Sequence, residues 1–154
     1  MSKLERWLTL FANLSVVAGI IFLAAEMRQN TQAIQAQTRD SITEKQMMFY
    51  GWLATDRDLS DAFVRALDGA ELDPSEVQMV NALVHGIFRE WENSHYQYER
   101  GLFGADEFLP RVERWRGGLS RLYFRDRWAS QRLTFAPSFR AEIDRIVAEV
   151  ELVR

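Results

Sequence analysis

The feature that most constrains this chain is an uninterrupted apolar segment near its N-terminus. The nineteen residues from Trp7 to Ala25 contain no charged side chain, no proline and a single glycine. A helix of that length rises roughly 28 Å at about 1.5 Å per residue, which matches the hydrocarbon thickness of a bilayer. Its large apolar side chains favour insertion by about 0.3 to 0.6 kcal/mol each at the helix centre. The segment therefore predicts a transmembrane helix, which we assign to residues 4–27.

Two other interpretations of this segment stay open. A cleaved signal peptide is one, although Leu23 stands where a cleavage site after Ala25 needs a small residue. A buried helix of a soluble protein is the other, although the polar residues of the segment do not form a continuous stripe. The orientation in the membrane is nearly undecided by charge, because Lys3 and Arg6 before the segment are balanced by Arg28, Arg39 and Lys45 after it. The immediate flanks favour an N-terminus on the inside, because Glu26 accompanies Arg28.

The sequence beyond this segment predicts an all-α fold. Residues 28–54 contain no proline and no glycine before Gly51, so we expect the transmembrane helix to continue into a helical stalk. The remaining residues, 55–154, are expected to form one small helical domain. Nowhere does a sustained alternation of apolar and polar residues accompany a hairpin turn, which argues against strands.

Local signals predict where several helices of this domain begin and end. The segment DLSDAFVRALDG has apolar residues at helical spacing and Gly69 at its end. The next helix starts with Asp73 as N-cap, Pro74 at the first helical position and Glu76 completing a capping box, and Gly101 marks its far end. Two further helical regions are expected, one interrupted at Gly117-Gly118 and one following Pro137.

Composition and motifs exclude several functional classes. A net charge of −3 and a pI near 5.5 argue against a nucleic-acid partner. The chain contains no cysteine, which removes disulfides, thiol nucleophiles and cysteine-based metal sites. Sequence motifs of α/β-hydrolases, zinc proteases and nucleotide-binding loops are absent. No cofactor is therefore expected.

Three passages of the chain resemble a family of uncharacterised bacterial proteins that begin with one hydrophobic helix. They are EMRQNT at Glu26 to Thr31, WENSHYQYERGLF at Trp91 to Phe103, and W-x6-F-x-P-S-F-R at Trp128 to Arg140. The resemblance implies a bacterial cell (inner) membrane protein with a single span and a helical domain. It implies no activity.

The most suggestive group of metal-ligand side chains is Glu92, His95 and Glu99 on the third helix. A Glu-x-x-His pair with a carboxylate one turn later presents its side chains from one face, as in di-iron bundles. Such bundles need two of these motifs, however, and this chain has one. We therefore expect no metal and interpret His95 as a structural histidine between Trp91 and Tyr98.

A second cluster combines arginines with aromatic residues, which is typical of contact with anionic lipid headgroups or with a partner protein. The residues that we assign to such a surface are Arg111, Arg114, Arg116, Arg121, Arg125, Trp115 and Trp128. The alternative is that these arginines pair within the chain, with acidic residues such as Glu113, Asp126, Glu142 and Asp144.

Small and polar residues within the span form the third candidate site. Ser15 and Gly19 are a small-x-x-x-small pair that allows two helices to approach closely, and Asn13 lies beside them. An amide in hydrocarbon needs a hydrogen-bond partner, which in a one-span protein comes from another chain, from lipid headgroups or from water. We therefore expect a homo-oligomer or a larger membrane complex.

Together these observations favour a membrane-anchored, self-associating interaction or scaffold protein without an evident catalytic site. One alternative is a homo-oligomeric pore, lined by Asn13 and the polar residues 29–38. The other is a membrane-anchored enzyme or ligand-binding domain with its site around His95. The first would conduct ions, whereas the second would carry a metal or small molecule.

Overall fold

The computed structural model of this chain describes residues 2–152, which are almost entirely helical. Within these residues there are six α-helices and no strand, which confirms the all-α prediction. The helices are α1 Lys3–Thr55, α2 Arg57–Leu67, α3 Pro74–Glu99, α4 Ala105–Leu119, α5 Leu122–Gln131 and α6 Pro137–Leu152, and a 3-10 turn at Arg132–Thr134 precedes α6.

The chain divides into two compact units. The first comprises Met1–Gln37 and the second Thr38–Arg154. The division falls inside the stalk predicted at residues 28–54, so the last turns of α1 belong to the second unit. α1 itself runs without a break from Lys3 to Thr55, as expected from the lack of helix-breaking residues.

Every described residue of the first unit is exposed. The large apolar side chains from Leu4 to Leu23 are between 52% and 69% exposed, far more than a core helix allows. Within residues 2–152, α1 is the one helix long and apolar enough to cross a membrane, and none of its apolar window is buried within the chain. Its apolar surface is therefore available to lipid or to another protein chain.

Capping residues fix both ends of α3 as the sequence predicts. The Asp73 side chain accepts hydrogen bonds from the backbone N–H groups of Ser75 (2.7 Å) and Glu76 (3.0 Å), and the Glu76 side chain accepts one from the Asp73 backbone. The bond from the Glu76 backbone is the main reason that the pKa of Asp73 lies below its usual value. Gly69 and Gly101 both adopt positive φ, 74° and 70°, where α2 and α3 end.

The predicted interruption at Gly117-Gly118 is wrong. Both glycines lie inside α4, which continues to Leu119 before the chain turns into α5. A Cβ atom at Gly118 would lie 3.2 Å from the Trp91 ring, so this glycine allows α4 to pack closely on α3. Tertiary packing therefore outweighs the low helix propensity of the pair.

The core of the second unit is rich in aromatic side chains. Phe88 lies at its centre, with ring centroids of Trp91 at 5.2 Å, Trp128 at 5.3 Å and Phe124 at 5.9 Å. Aromatic pairs of this kind stabilise a fold by about 0.5 to 1.5 kcal/mol beyond the area that they bury. Ile42 of α1 is 1% exposed and belongs to the same core, which explains why the last turns of α1 fold with this unit.

Candidate functional site

His95 of the proposed metal group is packed among phenylalanines. Its ring centroid lies 5.8 Å from that of Phe139 and 6.1 Å from that of Phe108. These neighbours differ from the Trp91 and Tyr98 that the sequence suggested. Trp91 stacks instead on Trp115 (5.4 Å), and Tyr98 stacks on Phe108 (4.1 Å). His95 is nonetheless buried, in keeping with a structural role.

The two carboxylates of this group hold the start of α6. One Glu92 oxygen accepts a hydrogen bond from the Ala136 backbone N–H (2.7 Å), and the other pairs with Arg89 (2.7 Å). Glu99 accepts a bond from the Ser138 hydroxyl (3.1 Å) and lies 3.6 Å from Nδ1 of His95. Residues 2–152 contain no group of three or more histidine or carboxylate side chains placed to hold a metal ion.

The two tryptophans assigned to a lipid or partner surface are buried in the core. Trp115 is 1% exposed and Trp128 is 2% exposed, and Trp128 donates its indole N–H to Asp144 (2.8 Å). Their assignment to a contact surface is therefore corrected: they fill the interior of the second unit. Interleaved arginines and aromatics do not indicate which of them face outward.

Most arginines of that cluster pair within the chain. Arg116 contacts Glu113 (3.1 Å) and Glu149 (2.7 Å). The buried Arg125 donates to the backbone carbonyls of Leu119 (2.8 Å) and Ser120 (2.9 Å), where α4 ends. These contacts match the alternative of intramolecular pairing. Arg116 joins α4 to α6, and Arg125 joins α5 to the end of α4.

One acidic residue of the expected pairings, Asp144, joins α6 to the region before it. It binds Arg132 as well as Trp128. Partial burial raises the pKa of Asp144, but the hydrogen bonds from Arg132 and Trp128 prevail and hold it below its usual value. The carboxylate thus remains ionised, as its ion pair requires.

Two arginines of the cluster remain at the surface, beside a cleft. Arg114 is exposed and donates a hydrogen bond to the Tyr50 hydroxyl of α1. Arg121 is exposed as well, and its side chain has no hydrogen bond or ion pair with residues 2–152. These two side chains are the members of the predicted surface that are available to bind a ligand.

A buried polar cluster that the sequence analysis missed joins α3, α4 and α1. Glu90 accepts hydrogen bonds from Ser94 (2.9 Å) and from Arg111, and Arg111 also donates to Gln46 (3.0 Å). Burial raises the pKa of Glu90, while Arg111 and Ser94 oppose that rise. The sequence contains one signal for the burial of Glu90. It shares a helical face with Leu83 and Ser94, and all three residues are buried.

A cavity within the second unit opens beside this polar cluster. Its volume is about 470 Å³, within the range of small-molecule sites. Its walls are mostly apolar and come from the last turns of α1 and from α2 to α5, with the lining residues Phe49, Leu53, Phe63, Ile87, Trp91 and Phe124. Arg114 and Arg121 also line it. This cleft, rather than the surroundings of His95, is the best candidate for a binding site.

Within the first unit, the residues assigned to self-association lie on an exposed helix. The Ser15 hydroxyl donates to the Phe11 carbonyl (2.8 Å), so its own hydrogen bond is already made. The Asn13 amide has no hydrogen bond with residues 2–152. No atom lies within 4 Å of a Cβ added at Gly19, which leaves room for another helix to approach.

The chain was compared with protein-family models, with curated proteins and with solved structures, and nothing matches it. The resemblance to bacterial proteins with one hydrophobic helix therefore stays a prediction.

Proposed function

We propose that this chain is a single-pass membrane protein without catalytic activity, which self-associates through its N-terminal helix and uses its helical second unit as an interaction module. The observation that carries the proposal is that every residue of the apolar part of α1, from Trp7 to Ala25, is exposed. In water such a surface would drive association or aggregation. In a bilayer the same surface is matched by lipid tails.

Self-association is argued from the polar and small residues of this helix. The Asn13 amide is unpaired within residues 2–152 and would be costly to leave so in hydrocarbon. A further copy of the same helix supplies a matching amide for Asn13. Gly19, which lies about 120° around the helix from Asn13 at about 100° per residue, lets the backbone of another copy approach. The Ser15 hydroxyl, which is bonded to its own helix, contributes a small contact surface rather than a new hydrogen bond.

The location is proposed from the resemblance and from the flanking charges. We infer a bacterial cell (inner) membrane with the N-terminus inside, since Lys3 and Arg6 stand directly before the span, whereas Arg28 is the one basic residue directly after it. Membrane lipid and further copies of the chain are the proposed partners.

Glu92 and Glu99 are assigned a structural role, because both bind residues at the start of α6.

Membrane extraction combined with copy-number measurement tests this proposal. Membranes containing the full-length chain are washed with alkaline carbonate and then treated with dodecyl maltoside. We expect the uncleaved chain to resist carbonate, to dissolve in detergent and to contain more than one copy by light scattering. A soluble or cleaved product would overturn the membrane assignment, and a monomer would overturn self-association. Ion conductance in planar bilayers would favour the pore instead.

A further inference from the structure

The cleft of the second unit has an apolar interior that the chain leaves open. Phe49 and Leu53 of α1 line one side, Phe63 of α2 and Phe124 of α5 also line it, and Trp91 contributes from α3. The cleft has a volume of about 470 Å³, which is within the range of small-molecule sites. An apolar space of this kind favours an apolar occupant.

One glycine of α4, Gly117, leaves room at the wall of the cleft. Gly117 and Gly118 both line the cleft, where α4 faces it. A Cβ at Gly117 would meet no atom within 4 Å, so a side chain would fit there without a clash. The position is therefore suited to a substitution that narrows the cleft while α4 is retained.

The side chains of Glu90, Gln46 and Tyr50, which line the cleft, are already hydrogen-bonded within the chain. Glu90 pairs with Arg111, while Gln46 accepts a hydrogen bond from Arg111 (3.0 Å) and donates one to the Tyr50 hydroxyl (3.3 Å). The Tyr50 hydroxyl in turn accepts from Arg114. A ligand with several polar groups along its length would leave them unpaired on burial, which costs about 1 to 3 kcal/mol per group. The body of a suitable ligand is therefore hydrocarbon.

The charge along the cleft determines the other end of the ligand. Glu90 is balanced by Arg111, whereas Arg114 and Arg121 are exposed and line the cleft without an acidic partner in residues 2–152. A guanidinium binds carboxylate and phosphate groups through paired N–H donors. One anionic group of a ligand, placed beside these two arginines, would supply the acidic partner that they lack.

We propose that this cleft binds a single-chain amphiphile with one anionic headgroup, and that the ligand is a long-chain fatty carboxylate. The hydrocarbon chain lies against Phe49, Trp91 and Phe124, and the carboxylate lies at Arg121 and Arg114. This site is independent of self-association through α1, which involves the first unit.

Photo-crosslinking of the full-length chain in dodecyl maltoside tests the site. The probe is palmitate with a diazirine on its chain, and the crosslinked residues are located by peptide mass spectrometry. We expect crosslinks at Phe49, Phe63 or Trp91, reduced at least tenfold by excess unlabelled palmitate. Crosslinks confined to residues 7–25, which contact the detergent, would overturn the proposal.

Matched variants separate binding in the cleft from general partitioning into the micelle. Gly117→Leu should reduce crosslinking at least tenfold because its side chain fills the cleft, whereas Gly51→Leu, also a helical glycine with open space, should leave it unchanged. Circular dichroism and thermal melting establish that both variants are folded. Equal crosslinking in folded Gly117→Leu would overturn the proposal.

The headgroup is tested with variants that leave the cleft unchanged. Arg121→Gln should weaken competition by unlabelled palmitate at least threefold, whereas Arg57→Gln, at an exposed arginine that does not line the cleft, should not. Methyl palmitate, which lacks the charge, should compete at least threefold less well than palmitate. Equal competition by palmitate and methyl palmitate would overturn the assignment of an anionic headgroup. Stronger competition by a lysophospholipid than by palmitate would overturn the carboxylate and favour a phosphate headgroup.

Discussion

The buried Glu90 carboxylate accepts a hydrogen bond from the Arg111 guanidinium and thereby joins α3 to α4. The side chains of Glu90 and Arg111 are only 6% and 14% exposed, so water screens this pair little. Ser94 and Gln46 complete the arrangement, which links α1, α3 and α4. Such a pair costs desolvation when it forms, but removal of one partner leaves the other charge buried and uncompensated.

The first prediction is that Arg111→Met destabilises the second unit by about 3 to 5 kcal/mol. Methionine keeps much of the volume but leaves the Glu90 carboxylate without its cation. Denaturant unfolding of the full-length chain in detergent, followed by circular dichroism, measures the change. Arg57→Met is the control, because Arg57 is 91% exposed and its ion pair with Asp61 is on the surface. A loss in Arg111→Met no larger than in the control would contradict the role of the pair.

The second prediction concerns pH. Burial raises the pKa of Glu90 in the folded chain above its ordinary value of 4.5. Between the ordinary and the raised pKa the folded state binds more protons than the unfolded state, so stability falls as pH rises through this window. Asp73 and Asp144 have lowered pKa values and act in the opposite direction. The measurement is therefore the difference in unfolding free energy between the native chain and Glu90→Gln at several pH values.

That difference should favour the native chain most at the acid end and decline as pH rises above 4.5. A difference that is constant over the acid range, or that grows with pH, would contradict the raised pKa. Glu142→Gln serves as the control, because Glu142 pairs with Arg145 at the surface and not in the core.

Local signals allowed much of the fold to be predicted from the sequence. Caps and helix ends depend on residues only a few positions apart, which is why Asp73, Gly69 and Gly101 were assigned correctly. The interruption expected at Gly117-Gly118 failed because Trp91, which is distant in sequence, packs against Gly118. Propensity alone contains no information about such a neighbour.

The candidate site was predicted less well, since it depends on which face each side chain occupies. Residue type alone does not distinguish Trp115 and Trp128 from tryptophans on a contact surface, yet both lie in the core. The cleft is assembled from five helices, and no run of sequence brings Phe49, Phe63 and Phe124 together. Arg114 and Arg121 are residues of the cleft that the predicted contact surface already contained.

The third prediction is that His95 stabilises the fold without binding a metal. His95→Gln should cost about 1 to 3 kcal/mol in all, because the ring contacts with Phe108 and Phe139 are lost and each contributes about 0.5 to 1.5 kcal/mol. Elemental analysis of the purified chain should give the same metal content for the variant and the native protein. His85→Gln, which removes the bond to Gln131, is the control for the other histidine. Stoichiometric zinc or iron that disappears only in His95→Gln would contradict this role.

The fourth prediction is that self-association depends on Gly19 and Asn13. Gly19→Leu should weaken the oligomer because the leucine side chain prevents close approach of two helices. Asn13→Leu should weaken it by the loss of an interhelical hydrogen bond, which contributes about 0.6 kcal/mol and at most about 2 kcal/mol. Ala25→Leu is the matched control, since at about 100° per residue Ala25 lies about 120° around the helix from both Gly19 and Asn13. Fluorescence energy transfer between labelled copies in lipid vesicles, measured over a range of dilutions, gives the dissociation constant. Unchanged constants in both variants, or an equal loss in Ala25→Leu, would show that Gly19 and Asn13 do not form the contact.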